Sequence, residues 1–174
     1  MTNSDQGTQQ FSGLILLTGV DRPGISAALF ETLAPFSVSV LDIEQLVIAD
    51  RLVLSVLISL NPSHQSAIET DLEQCASLND VDIATLFVDR PGYLVKPSLI
   101  DVSISAEKLH PRSVSAISSA LHKLGANIES IERVTSVPLT INFTVSGVAT
   151  DSVQSELASL VFEDGTIFTV KSHS

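Results

Sequence analysis

Basic residues are scarce. The 174-residue chain has 9 Lys and Arg against 20 Asp and Glu, a formal net charge of −11. Such a surface repels phosphate backbones, whose recognition needs clustered cations, so no nucleic-acid partner is expected. An anionic membrane face is disfavoured for the same reason. The single cysteine, Cys75, excludes an internal disulfide. Long hydrophobic runs are also missing. Stretches such as Leu14–Leu17 and Leu46–Ala49 fall far short of the about 20 residues that cross a bilayer. The opening MTNSDQGTQQ has no basic stretch followed by an apolar core. No secretory signal is expected, and the cytoplasm is the expected location. Residues 1–10 read as a disordered leader.

Apolar residues make up 44% of the chain and charged residues 17%, which excludes an intrinsically disordered polymer. The mean hydropathy of +0.36 points to apolar surface buried between domains or subunits.

The apolar pattern switches between two periods. Phe11–Val20 reads as a buried strand, and Pro23–Phe36 as a helix with Ile25, Ala28, Leu29, Leu33 and Phe36 at helical spacing. Pro23 suits the first helical turn, where its missing N–H costs nothing. Val38–Ile48 is a second strand. A third carries Leu52, Leu54, Val56, Ile58 and Leu60 on one face. The short Ala49-Asp50-Arg51 link makes these two antiparallel. Val53 and Leu57 give the third strand an apolar outer face, which suggests contact with another domain. Ser66 with Glu69 reads as a capping box ahead of Ile68, Leu72 and Cys75. Val81–Val88 is a fourth strand.

The order β-α-β-β-α-β then repeats. Ile100, Val102 and Ile104 alternate along a strand, and Pro111–Leu124 is a helix ended by Gly125. Ile128–Ser136 and Leu139–Ser146 are strands. In the latter, Leu139, Ile141, Phe143 and Val145 face in, while Thr140, Asn142 and Thr144 face out. Asp151 is read as the cap of a helix carrying Val153, Leu157 and Leu160, and Thr166–Val170 closes the pattern. At an offset of 88, Pro23 falls on Pro111, Leu29 on Ile117, Leu33 on Leu121, Ser39 on Asn127, Ile43 on Ile131 and Glu44 on Glu132. The fold class is therefore α+β: two ferredoxin-like βαββαβ domains in tandem, with antiparallel sheets and helices on one face. Domain boundaries are expected at 11–88 and 99–172, with 89–98 as a linker rich in Pro and Gly.

One strand-to-helix turn, Gly19-Val20-Asp21-Arg22-Pro23-Gly24-Ile25, has the chemistry of a ligand site. A helix N-terminus carries unpaired N–H groups and partial positive charge, which attract a carboxylate. Gly24 lets a ligand approach the backbone, and Asp21 could hold an ammonium group. Together they would grip both charged ends of an α-amino acid. The plainer alternative is that Asp21 caps its own helix and the glycines shape the turn.

No catalytic constellation, metal set or cofactor motif is found. His64, His110, His122 and His173 lack ligand spacing with Cys75 or one another. Ser113 and its neighbours have no partner base. Asp80-Val81-Asp82-Ile83-Ala84 reads as a turn rather than a phosphatase motif, because Ala84 stands where Thr or Val is needed and no buried strand precedes it. Asp89-Arg90-Pro91-Gly92 repeats the loop motif, but Pro97 argues against a following helix. Asn142-Phe143-Thr144 matches a glycosylation acceptor placed inside a strand.

The stretches LTGVDRPGISAALFETL and SVLDIEQLVIADRLVLSVLI resemble an ACT domain. More narrowly, the chain from Gly13 to Val170 resembles the tandem ACT region of actinobacterial phosphoserine phosphatases, strongly in the first repeat and weakly in the second. The resemblance implies an amino-acid effector, serine foremost, held by Gly19, Val20, Asp21, Arg22, Pro23, Gly24 and Ile25. It implies a homodimer through ACT domains and a role in serine biosynthesis. The family's haloacid-dehalogenase-type catalytic domain is absent from this chain, so no enzyme activity of its own is expected. The second repeat reads Glu107-Lys108-Leu109-His110-Pro111-Arg112, without the aspartate and both glycines. The alternative is a free-standing interaction module, like the tandem-ACT repressors of glycine cleavage.

Overall fold

The structure, a computed structural model, describes residues 10–90, 98–162 and 165–173. Residues 1–9 of the expected leader and 91–97 of the expected linker lie outside the described residues. The chain separates into two compact units, residues 1–94 and 95–174. The first contains β1 (Gln10–Val20), α1 (Ile25–Leu33), β2 (Ser39–Ile48), β3 (Arg51–Ser59), α2 (Gln65–Asn79) and β4 (Val81–Arg90). The second contains β5 (Leu99–Ala106), α3 (Pro111–Lys123), β6 (Asn127–Ser136), β7 (Leu139–Ser146), α4 (Thr150–Ala158) and β8 (Ile167–Ser172). The sheet orders are β2-β3-β1-β4 and β6-β7-β5-β8, antiparallel throughout. This is the βαββαβ plan twice, as the periodicity required.

Each sheet forms because alternate residues have a helix layer to bury against. Ile15 and Leu17 of β1 and Leu52, Leu54, Val56 and Ile58 of β3 join Leu29 and Leu33 of α1 and Ile68 and Leu72 of α2 in one core. Val102, Ile104, Phe143 and Val145 do the same with Ile117, Leu121, Val153 and Leu157. The offset of 88 runs deeper than side-chain type. The ladders β2–β3 and β6–β7 each slip register at the same place, Val40/Asp42 and Ile128/Ser130.

Local differences from the sequence reading follow from backbone chemistry. Pro111 occupies the first turn of α3, but Pro23 precedes α1, whose cap is Gly24 at φ 96. The left-handed glycine delays the helix by two residues relative to its repeat. The Ser66–Glu69 capping box does not form. Asn61 instead accepts from the Ser63 N–H and opens a 3-10 turn over Pro62–His64, after which α2 runs on from Gln65. Glu69 accepts from the Gln65 side chain. Asp151 lies in the first turn of α4 rather than at its cap, which is Ala149. There its charge still favours the positive end of the helix. Asp80 turns at φ 51, as a turn reading requires, but Val81–Ala84 already belong to β4. That strand continues past Val88, pairing Asp89 with Phe11 and Arg90 with Gln10. Gly125, at φ 80, ends α3 as expected. Its N–H donates to the His122 carbonyl, and the Ala126 N–H donates to that of Leu121.

The faces turned away from the helices differ between the units. On the second sheet, Ser103 donates to Asn142, Thr140 to Ser105, and both Asn142 and Thr144 to the Asp101 carboxylate, which His173 also meets at 2.9 Å. Partial burial pulls the Asp101 pKa upward, but the bonds from Asn142, His173 and Thr144 and the nearby His173 charge outweigh it. The carboxyl therefore sits below its ordinary 3.8. A lowered folded value means stability that is present above the ordinary carboxylate range and lost as pH falls through the folded value. Asp101→Ala is expected to destabilise the second unit by about 1–2 kcal/mol at pH 7. In urea titrations, its gap from the parent chain should close as the solution is acidified below the ordinary carboxylate range.

Candidate ligand site at the first strand-to-helix turn

The turn between β1 and α1 is held from both sides. The Asp21 N–H donates to the Asp50 carbonyl in the β2–β3 turn at 2.8 Å. The Arg22 guanidinium donates to the Asn79 carbonyl at the end of α2, where a cation meets the negative pole of that helix. Arg22 thus pins the loop to α2. Gly19 and Ile25, at the two ends of the motif, are packed inward. Ile25 is buried in the core, and a Cβ on Gly19 would come within 2.6 Å of Val81 Cγ1. Gly19 is needed for the close approach of β4. Val20, Asp21, Arg22, Pro23 and Gly24 are exposed.

Between them lies an open helix end. No side chain caps α1, and its first turn holds no acidic residue. Asp21 is not the cap of its own helix; Gly24 takes that place. The Gly24 carbonyl accepts the first helical bond, from Ala28 N–H at 2.9 Å, so the preceding N–H groups have no helical acceptor. A Cβ added to Gly24 would meet nothing within 4 Å. The backbone here is both left-handed and accessible.

Two residues that the motif reading overlooked stand beside this end. Ser26 Oγ donates to Gln45 Oε1 at 2.7 Å, joining the first turn of α1 to β2. Gln45 pairs opposite the buried Leu54, so it occupies the row facing the helices. A polar residue in an apolar register was the available signal, and it became informative only with the strand pairing known.

On the other side of Gly19, a cavity of about 380 Å³ is lined by Gly19, Val20, Arg51, Ala76, Ser77, Asp80, Val81 and Asp82. The second unit differs at the matching place. Arg112 stands where the offset puts Gly24, inside α3, and the adjoining cavity of about 540 Å³ is lined by His110, Pro111, Arg112, Ser113, Ala116, Val161 and Phe162. Among the described residues, its lining includes the Arg112 guanidinium and no carboxylate that could hold an ammonium. Among the described residues, no three His, Cys, Asp or Glu side chains form a metal-binding group. None of the described helices is long and apolar enough to cross a membrane.

Residues 13–85 match the ACT domain family, and the two units share a tandem ACT-like fold. The chain is 35% identical over 154 residues to a phosphoserine phosphatase of Streptomyces coelicolor, covering 84% of this chain and 36% of that protein. It is 33% identical over 131 residues to the phosphoserine phosphatase SerB2 of Mycobacterium tuberculosis, covering 74% and 32% respectively. The chain thus spans about a third of the length of these curated relatives. A crystal structure assigned provisionally to a glycine cleavage system transcriptional repressor superimposes with a TM-score of 0.73 at 16% identity, covering 93% of this chain and 96% of that one. At that identity the likeness concerns the fold.

Proposed function

We propose that the chain is an amino-acid-sensing regulatory module, with serine as its effector, serving a phosphoserine phosphatase in serine biosynthesis. The observation that carries this reading is the uncapped N-terminus of α1, open at Gly24 and flanked by Asp21. The ligand carboxylate docks on the first-turn N–H groups, where partial positive charge is unopposed by any acid in that turn. Asp21 takes the ammonium. The Ser26–Gln45 pair supplies polar partners for a short hydroxylated side chain, which favours serine over alanine.

On this reading the chain acts by binding rather than by catalysis, in the cytoplasm. Its output depends on an effector that prefers one arrangement of domains to another. The partner surface is β2, a ten-residue edge strand with Val40, Ile43, Leu46, Val47 and Ile48 exposed. A long apolar edge is a template for pairing with a second chain, and a homodimer formed there brings a neighbouring ACT domain next to the turn. The glycine-cleavage type of interaction module shares the fold, but the sequence likeness lies with the phosphatases.

Calorimetric titration of the folded chain with serine, glycine, alanine and threonine tests the proposal. The expected result is a saturable heat, strongest for serine, that disappears in Asp21→Ala. A flat trace with all four amino acids would overturn it.

A further inference from the structure

The first unit uses the left-handed backbone region where no glycine stands. Ala49 sits at φ 57 and Asp80 at φ 51; among the described residues they are the only non-glycine residues with positive φ. The second unit places glycine at each of its described left-handed positions, Gly125, Gly147 and Gly165. A Cβ in this region crowds the following carbonyl oxygen, a clash that glycine avoids. Aspartate offsets part of it by local hydrogen bonding, and alanine has no such means.

The connections force both corners. Ile48 pairs with Arg51, so Ala49 and Asp50 alone reverse the β2–β3 hairpin. The helix α2 ends at Asn79 and β4 begins at Val81, so Asp80 alone turns helix into strand. Both corners hold the same turn. The Asp50 carbonyl, next to Ala49, accepts from the Asp21 N–H at 2.8 Å. The Asn79 carbonyl, next to Asp80, accepts from the Arg22 guanidinium. Two neighbouring carbonyls at that helix end are already taken, Cys75's by Asn79 Nδ2 at 2.9 Å and Ala76's by the Asp80 N–H.

We propose that the turn carrying Asp21 and Arg22 is a sprung element with two positions, anchored and released, and that Ala49 and Asp80 set the balance between them. Anchoring holds both corners left-handed. Release breaks the Asp21–Asp50 and Arg22–Asn79 bonds and lets the corners relax, so the steric strain there favours release. The anchored position is the one that stands Asp21 beside the open end of α1. An effector that needs both binds more weakly than an unstrained turn would allow, and its binding draws released chains back. The spring stands on backbone geometry; its coupling to serine rests on the sensing function proposed above.

Ala49 gives the cleaner test, because its methyl is the entire side chain. Hydrogen exchange of the Asp21 amide, followed by NMR on the full chain without added amino acid, reports release. Ala49→Gly removes the clash and should slow that exchange about threefold to tenfold. Ala49→Val adds a branch at Cβ and should speed it. Calorimetric titration should rank serine affinity in the same order, with the glycine chain binding about threefold tighter than the parent. Asp80→Gly should move both readouts in the same direction. A role in the hairpin alone would change the melting temperature of Ala49→Gly and leave its serine affinity where it was. Should the valine chain fail to fold, the glycine chain decides by itself. Asp21 exchange in Ala49→Gly that equals or exceeds the parent's would overturn the spring, and slower exchange with parent-like serine affinity would overturn its coupling to the effector. Slower exchange in chains that give no serine heat at all would support the spring and overturn the sensing function instead.

Discussion

A Gly24→Asn chain is expected to keep its fold and lose its amino-acid heat, with affinity falling at least about 100-fold, or about 2.7 kcal/mol. Two properties meet at Gly24. Its φ of 96 costs an ordinary L-residue about 1–2 kcal/mol, and the space above it is empty to 4 Å. Asparagine separates the two, because it tolerates left-handed backbone better than other side chains while standing where a carboxylate would dock. Gly24→Ala probes the reverse case. Its single methyl carries the backbone cost but occupies little of the opening, so it should lower the melting temperature and retain weak binding. Thermal melts and calorimetric titrations of both variants decide the matter. If the asparagine chain binds serine like the parent, the glycine serves the backbone alone and the sensing proposal loses its main support.

How far the sequence discloses the molecule depends on the range of the interaction. Strand and helix identity, and the duplication, were legible because burial alternates with period 2 in β1 and β3 and with helical spacing in α3. Capping was less so. Pro23 and Pro111 look equivalent, yet only Pro111 enters its helix, because Gly24 turns left-handed where its counterpart is Arg112. Ser66 and Glu69 had capping-box spacing, but Asn61 bonded Ser63 first and moved the start of the helix turn. The geometry of the candidate site was half visible. Asp21 and Gly24 announce themselves by type, whereas Arg22 reaching Asn79 and Ser26 reaching Gln45 join residues 57 and 19 positions apart. Only the strand pairing and the packing of α2 bring those together. The contrast between the two open faces was visible in part, through Val53 and Leu57, but its extent depends on the β1–β4 register.

Phe143→Ala is expected to have the largest effect on stability, and to confine it to one unit. Phe143 is fully buried at the centre of β7, opposite Val102 and Ile131. Among the described residues, it is the only aromatic in the buried set of the second core, which is otherwise built from Ile, Leu, Val and Ala. Truncating a buried phenylalanine costs about 3–5 kcal/mol, since the cavity adds to the lost transfer energy. A unit of this size has only about 4–11 kcal/mol in total. The transition of the second unit should therefore fall by about 15–30 °C in scanning calorimetry. Amide signals of β5–β8 should fade on warming well before those of β1–β4. Phe143 belongs to a core sharing no residue with the one that fixes α1 and its turn. The variant is therefore expected still to titrate with serine at low temperature if sensing lies in the first unit. Simultaneous loss of both sets of signals would mean that the two cores stand or fall together, and the turn at Gly24 would then owe its shape to both.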